Sequence, residues 1–260
     1  MYKKHEVFDT PEDSRKIWRY MDFTKFLDIL DKLKLYFPRA DKLGDPFEGS
    51  LPKSSIEERT STLEETYRPE FFKYIVPKEQ APKALSRATK SFRKFYAISC
   101  WSMSEEESAA LWQLHLSGQD GVAIQTTVGR LKNSFERETR DIYIGEVKYI
   151  NYVRDSIPIN NALYPFLFKR ASFKHERELR AVIFSPNFIV EGGSLRRISY
   201  PEGYYAQIAP DILIENVFVS PVTPKWQNEL VQSVLSKYGL KTKISKVHQS
   251  DLSLKRKPLF

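Results

Sequence analysis

Apolar residues along this chain recur in two rhythms, one alternating and one helical. Ile17-Trp18-Arg19-Tyr20-Met21 carries a single charge and predicts a strand. Asp22 follows as a helix cap, and Phe23, Phe26, Leu27, Leu30 and Leu33 recur at helical spacing. Leu35-Tyr36-Phe37-Pro38 predicts a second strand, so the chain opens strand, helix, strand. Asp41 to Gly49 reads as a loop from its Gly and Pro content. Residues 53–95 are charged and helix-prone without strong apolar periodicity. They predict a helical insertion on the surface, with Ser61 and Glu64 as a capping box. Phe95–Ser102 predicts a strand. Ser104 with Glu107 predicts a capping box that opens a helix from Ala109 to Leu116, stopped at Gly118.

Further along, Gly121–Gln125 predicts a strand, Leu131–Phe135 a short helix, Ile142–Tyr149 a strand and Ile159–Phe168 a helix. The stretch Phe173-Lys174-His175-Glu176-Arg177-Glu178-Leu179-Arg180-Ala181-Val182-Ile183-Phe184 opens with charges and runs into an apolar core. It predicts a strand entering the interior from an exposed end. Gly192-Gly193 marks a turn, followed by a strand at Ile214–Val219, a helix at Lys225–Tyr238 and a strand at Lys241–Val247. Residues 251–260, with Lys255-Arg256-Lys257, read as a mobile basic tail. Helices and strands alternate irregularly, with no internal repeat. That pattern predicts one α+β domain over residues 1–250, built on a mixed, largely antiparallel sheet.

Charge narrows the partners. The formal net charge is +8 and the pI about 9.3, which favours anionic partners such as nucleotides, nucleic acid or an acidic protein. In the insertion, Lys78, Lys83, Arg87, Lys90, Arg93 and Lys94 read as a solvated face able to touch an anionic target. The one cysteine, Cys100, excludes an intramolecular disulfide and a cysteine zinc site, and fits a reducing cytoplasm. The N-terminus lacks the apolar run of a signal peptide, and no segment approaches the ~20 apolar residues that span a bilayer. A cytoplasmic protein with no membrane partner is expected.

Candidate chemistry gathers on three sets of residues. On a strand, Glu176, Glu178 and Arg180 share a face with Val182 and Phe184, while Arg177, Leu179 and Ile183 face away. Two carboxylates on one face repel unless a cation or a function sits between them. Arg19, with Ser99 or Ser102 and Glu176 or Glu178, makes the first set. A strand-borne arginine clamps phosphate, a hydroxyl orders the ligand, and a carboxylate stabilises an oxocarbenium-like centre. That is the chemistry of breaking the nicotinamide–ribose bond of NAD. The second set, Asp45, Glu48, Glu146 and Lys148, would suit a Mg²⁺-dependent nuclease. In the third reading, Glu176, Glu178 and Arg180 are a structural ion network in a non-catalytic binding module. Histidines 5, 115, 175 and 248 show no metal spacing, so no histidine metal cage is expected. Cys100 reads as a small buried hydrophobe, and His115 as a packed, hydrogen-bonded side chain.

Several phrases occur in a fixed order: Trp18-Arg19-Tyr20, Leu35-Tyr36-Phe37, Asp45-Pro46-Phe47-Glu48 and Ser99-Cys100-Trp101-Ser102. Leu111-Trp112, then Gly121-Val122-Ala123-Ile124, and His175-Glu176-x-Glu178-x-Arg180 complete the series. Together, over roughly residues 17–245, they resemble a large bacterial family described only as a domain of unknown function. His115 stands where that family has tyrosine, and Phe173 where it has tryptophan. The order arginine, serine, Glu-x-Glu is similar to that of ADP-ribosyltransferases. This remote resemblance implies a split sheet with inserted helices and NAD as substrate. It implies that Arg19 holds the NAD phosphate or ribose, that Ser102 orders the site, that Glu178 polarises the ribose and that Glu176 orients the acceptor. Tyr20, Ser99, Trp112 and His115 join Arg19 and Ser102 as implied NAD-binding residues. A toxin or phage-defence effector that modifies nucleic acid or protein is the implied role.

Overall fold

The opening elements follow the apolar pattern in a computed structural model, which describes residues 1–58, 81–115, 120–186, 188–191, 194–197, 200–240, 243–244 and 246–252. β1 (Lys16–Asp22) buries Ile17, Trp18, Tyr20 and Met21, so both of its faces are covered. α1 (Phe23–Lys32) starts at Asp22, which has extended backbone but makes no side-chain capping bond, and buries Phe26, Ile29 and Leu30. Leu33 ends the helix in the left-handed region, φ 52°, and is exposed, so the apolar row stops one residue short of the expected last turn. β2 (Lys34–Pro38) follows, then β3 (Tyr96–Met103), β4 (Gly121–Thr127), β5 (Ile142–Glu146), β6 (Lys148–Ile150), β7 (Phe168–Arg170) and β8 (Glu178–Phe184). The later strands are β9 (Phe188–Glu191), β10 (Ser194–Arg197), β11 (Gly203–Gln207), β12 (Asn216–Val219) and β13 (Lys246–Gln249).

Seven strands form one sheet in the order β13-β12-β4-β1-β3-β8-β5, antiparallel throughout except for β12 with β13. The fold is therefore α+β with a mixed, mostly antiparallel sheet. On one face Ile17, Met21, Ala97, Trp101, Leu179 and Ile183 pack with Phe26 and Leu30 of α1. Tyr96, Ile98 and Val182 on the other face pack with Phe8, Ile157 and Phe166. Trp18, Tyr20, Leu111, Trp112 and Ala123 form a smaller cluster beside them.

The sheet is split near its middle. β1 pairs with β4 along its whole length, but with β3 only through Ile17–Met103 and Trp18–Ser102. The other end of β3 meets the segment after β2 through an Arg39–Ala97 bridge. Between those two contacts β1 and β3 part.

Several expected elements differ for local reasons. The expected Ile142–Tyr149 strand breaks at Val147, whose N–H donates to the Glu178 carbonyl at 2.9 Å, and β6 pairs in parallel with β7 in a separate sheet. The Ile159–Phe168 helix is replaced by a 3₁₀ turn, Tyr164–Phe166, and then β7. There Asn161 Oδ1 accepts from the Leu163 N–H at 2.9 Å, and Pro165 removes a donor that a longer helix would need. The expected strand at 173–184 begins only at Glu178; Ala171–Glu176 is 3₁₀, and Arg177 reverses the chain at φ 43°. The helix Ala109–His115 is capped by Ser108, whose Oγ accepts from the Leu111 N–H at 3.3 Å, and not by Ser104. Glu107 instead accepts from Trp112 Nε1 at 2.9 Å and from Ser250 Oγ at 2.6 Å. The last strand begins at Lys246, later than expected, and β9, β10 and β11 carried no recognised signal. Residues 53–58 and Ala81–Phe92 of the expected insertion are helical. Ser61, Glu64, Lys78, Gly118, the Gly192-Gly193 turn and residues 253–260 lie outside the described residues. Among the described residues, no helix is long and apolar enough to cross a membrane.

Candidate active site

Alternation alone would keep the candidate residues apart. Trp18 stands opposite Ser102, and Ser102 opposite Glu178, so those three share a face while Arg19 and Ser99 point to the other. The split removes that barrier. A cavity of about 830 Å³ opens between β1 and β3, and Arg19, Tyr20, Ser102, His115, Glu176 and Glu178 all line it.

Arg19 is the cation of the β1 wall. Its guanidinium donates to Ser99 Oγ and, at 3.5 Å, to the Tyr36 carbonyl, and it lies 5.6 Å from the Trp101 ring centroid. Trp101 Nε1 also donates to Ser99 Oγ, at 3.1 Å, so this buried hydroxyl, which lies behind the cavity wall, orients both. No carboxylate pairs with Arg19 among the described residues. Burial lowers its pKa, although it remains a cation at any working pH.

Tyr20 is buried, and its hydroxyl accepts from the Ser108 N–H at 2.8 Å; burial raises its pKa. Its ring stacks on His115 at 6.5 Å and meets Trp112 edge-on at 5.0 Å. Trp112 therefore backs Tyr20 without lining the cavity. His115 is exposed at the rim, in place of the packed, hydrogen-bonded side chain expected. Partial desolvation by the surrounding protein and the positive field of Arg19, Lys25 and Lys169 lower its pKa. Cys100 lines the cavity partly buried, and burial followed by the Glu178 charge pushes its thiol well up, away from the thiolate.

The opposite wall carries an ion network. Arg180, fully buried, donates from Nε to Glu178 Oε1 at 2.8 Å and from Nη2 to Glu178 Oε2 at 3.1 Å and Glu48 Oε1 at 2.8 Å. Its Nη1 donates to the Phe166 carbonyl at 2.7 Å. Lys169 Nζ lies between the two glutamates of the motif, 2.5 Å from Glu176 Oε2 and 3.1 Å from Glu178 Oε2. Burial alone would pull Lys169 down, but Glu178 and Glu176 more than offset it and raise its pKa. Although Glu176 lies outside the strand, the turn at Arg177 brings it to the same wall, and Ser102 Oγ donates to its carbonyl at 2.8 Å.

Burial disfavours the Glu178 charge, yet Arg180 and Lys169 outweigh burial and hold its carboxyl down to about 2, against an ordinary 4.5. A depressed carboxylate adds stability that is present above the ordinary value and lost as pH falls towards the folded one. Stability should therefore decline between pH 4.5 and about 2, and Glu178→Gln should flatten that decline in urea titrations. Glu138, held down to about 2 against burial by Arg140, leaves a residual acid slope. An unchanged slope in Glu178→Gln would refute the assignment.

The nuclease set does not come together. Glu146 and Lys148 fall in two different sheets, and Lys148 points outward with Asp9 at 3.9 Å. Asp45 is taken by Arg170 at 2.8 Å and Glu48 by Arg180. Among the described residues, no group of three or more His, Cys, Asp or Glu is placed to hold a metal ion. Lys169 and Arg170 escaped the sequence reading. The one available signal was two adjacent basic residues after the apolar run Phe166-Leu167-Phe168. Arg93 is not the solvated charge that the sequence predicts. It instead holds the loop at 45–49, donating to the Glu48 carbonyl at 3.1 Å and the Pro46 carbonyl at 3.3 Å.

No protein-family model matches the chain, and no curated protein matches it. In overall structure the chain is similar to Thermus sp. 2.9 DarT in complex with NAD+, at 8% sequence identity and a TM-score of 0.40, over 93% of this chain and 98% of that one. A likeness that distant carries no argument about the site.

Proposed function

We propose that the cavity binds NAD and that the protein is an ADP-ribosyltransferase. The observation that carries this reading is Arg19, a half-buried guanidinium in a cavity wall with no carboxylate partner among the described residues. A cation partly withdrawn from water without a counter-charge keeps part of its desolvation cost, which an anionic ligand offsets. A pyrophosphate meets a guanidinium bidentately. The Tyr20–His115 stack and the Tyr36 and Phe173 rings give aromatic surface for flat rings. A volume of about 830 Å³ suits a ligand of nucleotide size.

Glu178 lies two strand spacings from β1, roughly 10 Å, on the far wall of the split. When the bond between ribose C1′ and nicotinamide breaks, the electron pair leaves with the pyridine ring and cancels its positive charge. C1′ becomes the oxocarbenium-like centre, and carboxylates on that wall stabilise it. An acceptor O–H or N–H adds to C1′ and gives up its proton. Glu176, at 22% side-chain exposure against 3% for Glu178, is the more open carboxylate for receiving it. Nucleic acid and protein both supply such acceptors.

The experiment is nicotinamide release from NAD alongside thermal protection. NAD at 100 times its dissociation constant should add ~2.7 kcal/mol, and Glu176→Gln and Glu178→Gln should each abolish release. No protection at millimolar NAD would refute the reading. One observation favours a second reading, a binding module without catalysis: both oxygens of Glu178 are already engaged by Arg180 and Lys169. Protection by NAD without any nicotinamide release would select it.

A further inference from the structure

The Asp45-Pro46-Phe47-Glu48 loop brings to the cavity a carboxylate that the ion network uses only in part. Glu48 lines the cavity and is 3% exposed. Its Oε1 accepts from Arg180 Nη2 at 2.8 Å and lies 3.7 Å from Lys169 Nζ. Its Oε2 is buried with no hydrogen-bond partner among the described residues. The loop that carries it is held firmly. Gly49 adopts φ +65°, where a Cβ would meet Phe166 Cε1 at 2.5 Å, and Arg93 grips the carbonyls on either side of Phe47. A buried acceptor held this way and left without a partner carries an unmet hydrogen bond, which a donor admitted from the cavity would satisfy.

We propose that Glu48 Oε2 accepts a hydrogen bond from a hydroxyl of the ribose beside the scissile bond, which makes Glu48 a specificity-determining residue. This rests on the NAD reading above. A phosphate is excluded at Glu48 by like charge, and the anion clamp is Arg19 on the other wall. The donors that a nucleotide offers are base amines and sugar hydroxyls. Stacking surface for a base lies at Tyr20 and His115, whereas Glu48 shares Arg180 with Glu178, the carboxylate placed at the ribose. The sugar is therefore the part of the ligand that reaches Glu48, and the bound nucleotide takes one direction across the split.

Calorimetric binding of NAD and of its analogues deoxygenated at the 2′ or 3′ position of the nicotinamide ribose tests this. The wild-type protein should bind one of the two analogues about tenfold or more weakly than NAD, since a buried charged acceptor is left without its donor. Glu48→Gln keeps a carbonyl oxygen for Arg180 and turns the open acceptor into a donor. In that variant the preference should disappear. Should Glu48→Gln not fold, Glu48→Asp, which withdraws the carboxylate by one methylene, carries the same expectation. Equal binding of all three ligands by the wild type, or a preference kept in the variant, overturns the proposal and leaves the NAD reading standing. Absence of NAD binding by the wild type overturns both.

Discussion

Arg180→Met should lower the stability of the protein by about 3–5 kcal/mol, because it leaves two buried carboxylates facing each other without their shared cation. Glu178 is 3% exposed and Glu48 3%, so neither can recover the lost hydrogen bonds from bulk water. Lys169 remains, at 3.1 Å from Glu178 Oε2 and 3.7 Å from Glu48 Oε1, but a single ammonium cannot satisfy both carboxylates and Glu176 as well. The Phe166 carbonyl also loses its donor. For a chain near this size, each kcal/mol corresponds to about 2–4 °C, so melting should fall by roughly 6–20 °C. Thermal unfolding followed by circular dichroism measures it. A drop below about 1 kcal/mol, the range of an exposed pair, would mean that the network is solvated and that Glu178 is not held as described.

Arg19→Met should do the opposite to stability while removing ligand binding. The substitution takes a half-buried charge without a counter-ion out of the wall and replaces it with an apolar chain of similar length. The unliganded protein should then be at least as stable as the wild type. Ser99 loses one donor but keeps Trp101 Nε1 at 3.1 Å. Removing one partner of a buried charge pair costs about 2–5 kcal/mol in a complex, so NAD affinity should fall by at least about 30-fold. The two halves are read together, as melting without ligand and as the NAD-dependent rise in melting. A variant that is markedly less stable than the wild type without ligand would make Arg19 a structural residue. A variant that keeps its NAD response would remove Arg19 from the site. The contrast between Arg180 and Arg19 is one of compensation: Arg180 has two carboxylates and a carbonyl, and Arg19 has a hydroxyl and a distant carbonyl.

Much of the frame was legible in the sequence because it depends on short-range periodicity. A single charge inside Ile17–Met21 marked Arg19 as a strand residue with a task, and α1 followed from apolar residues at helical spacing. From Glu178 onward, alternation placed Glu178, Arg180 and Val182 on one face and Leu179 and Ile183 on the other. Each of these inferences needs only neighbours a few residues apart, where backbone geometry dictates which side chains share a side.

Tertiary structure alone decided the rest. The split between β1 and β3 is a pairing that stops after two residues, and no local pattern encodes where two strands 80 residues apart part company. Without it Arg19 and Glu178 would lie on opposite faces of a continuous sheet. The turn at Arg177, φ 43°, is a left-handed conformation carried by a residue that gives no warning of it, and it moved Glu176 off the strand and onto Lys169. Lys169 itself arrives through parallel pairing of β7 with β6, a contact made only once the sheet is assembled. The sequence by itself determined that Arg19, Glu178 and Arg180 are charges borne on apolar strands. The gap in the sheet, which only the assembled strands define, turned those side chains towards one another.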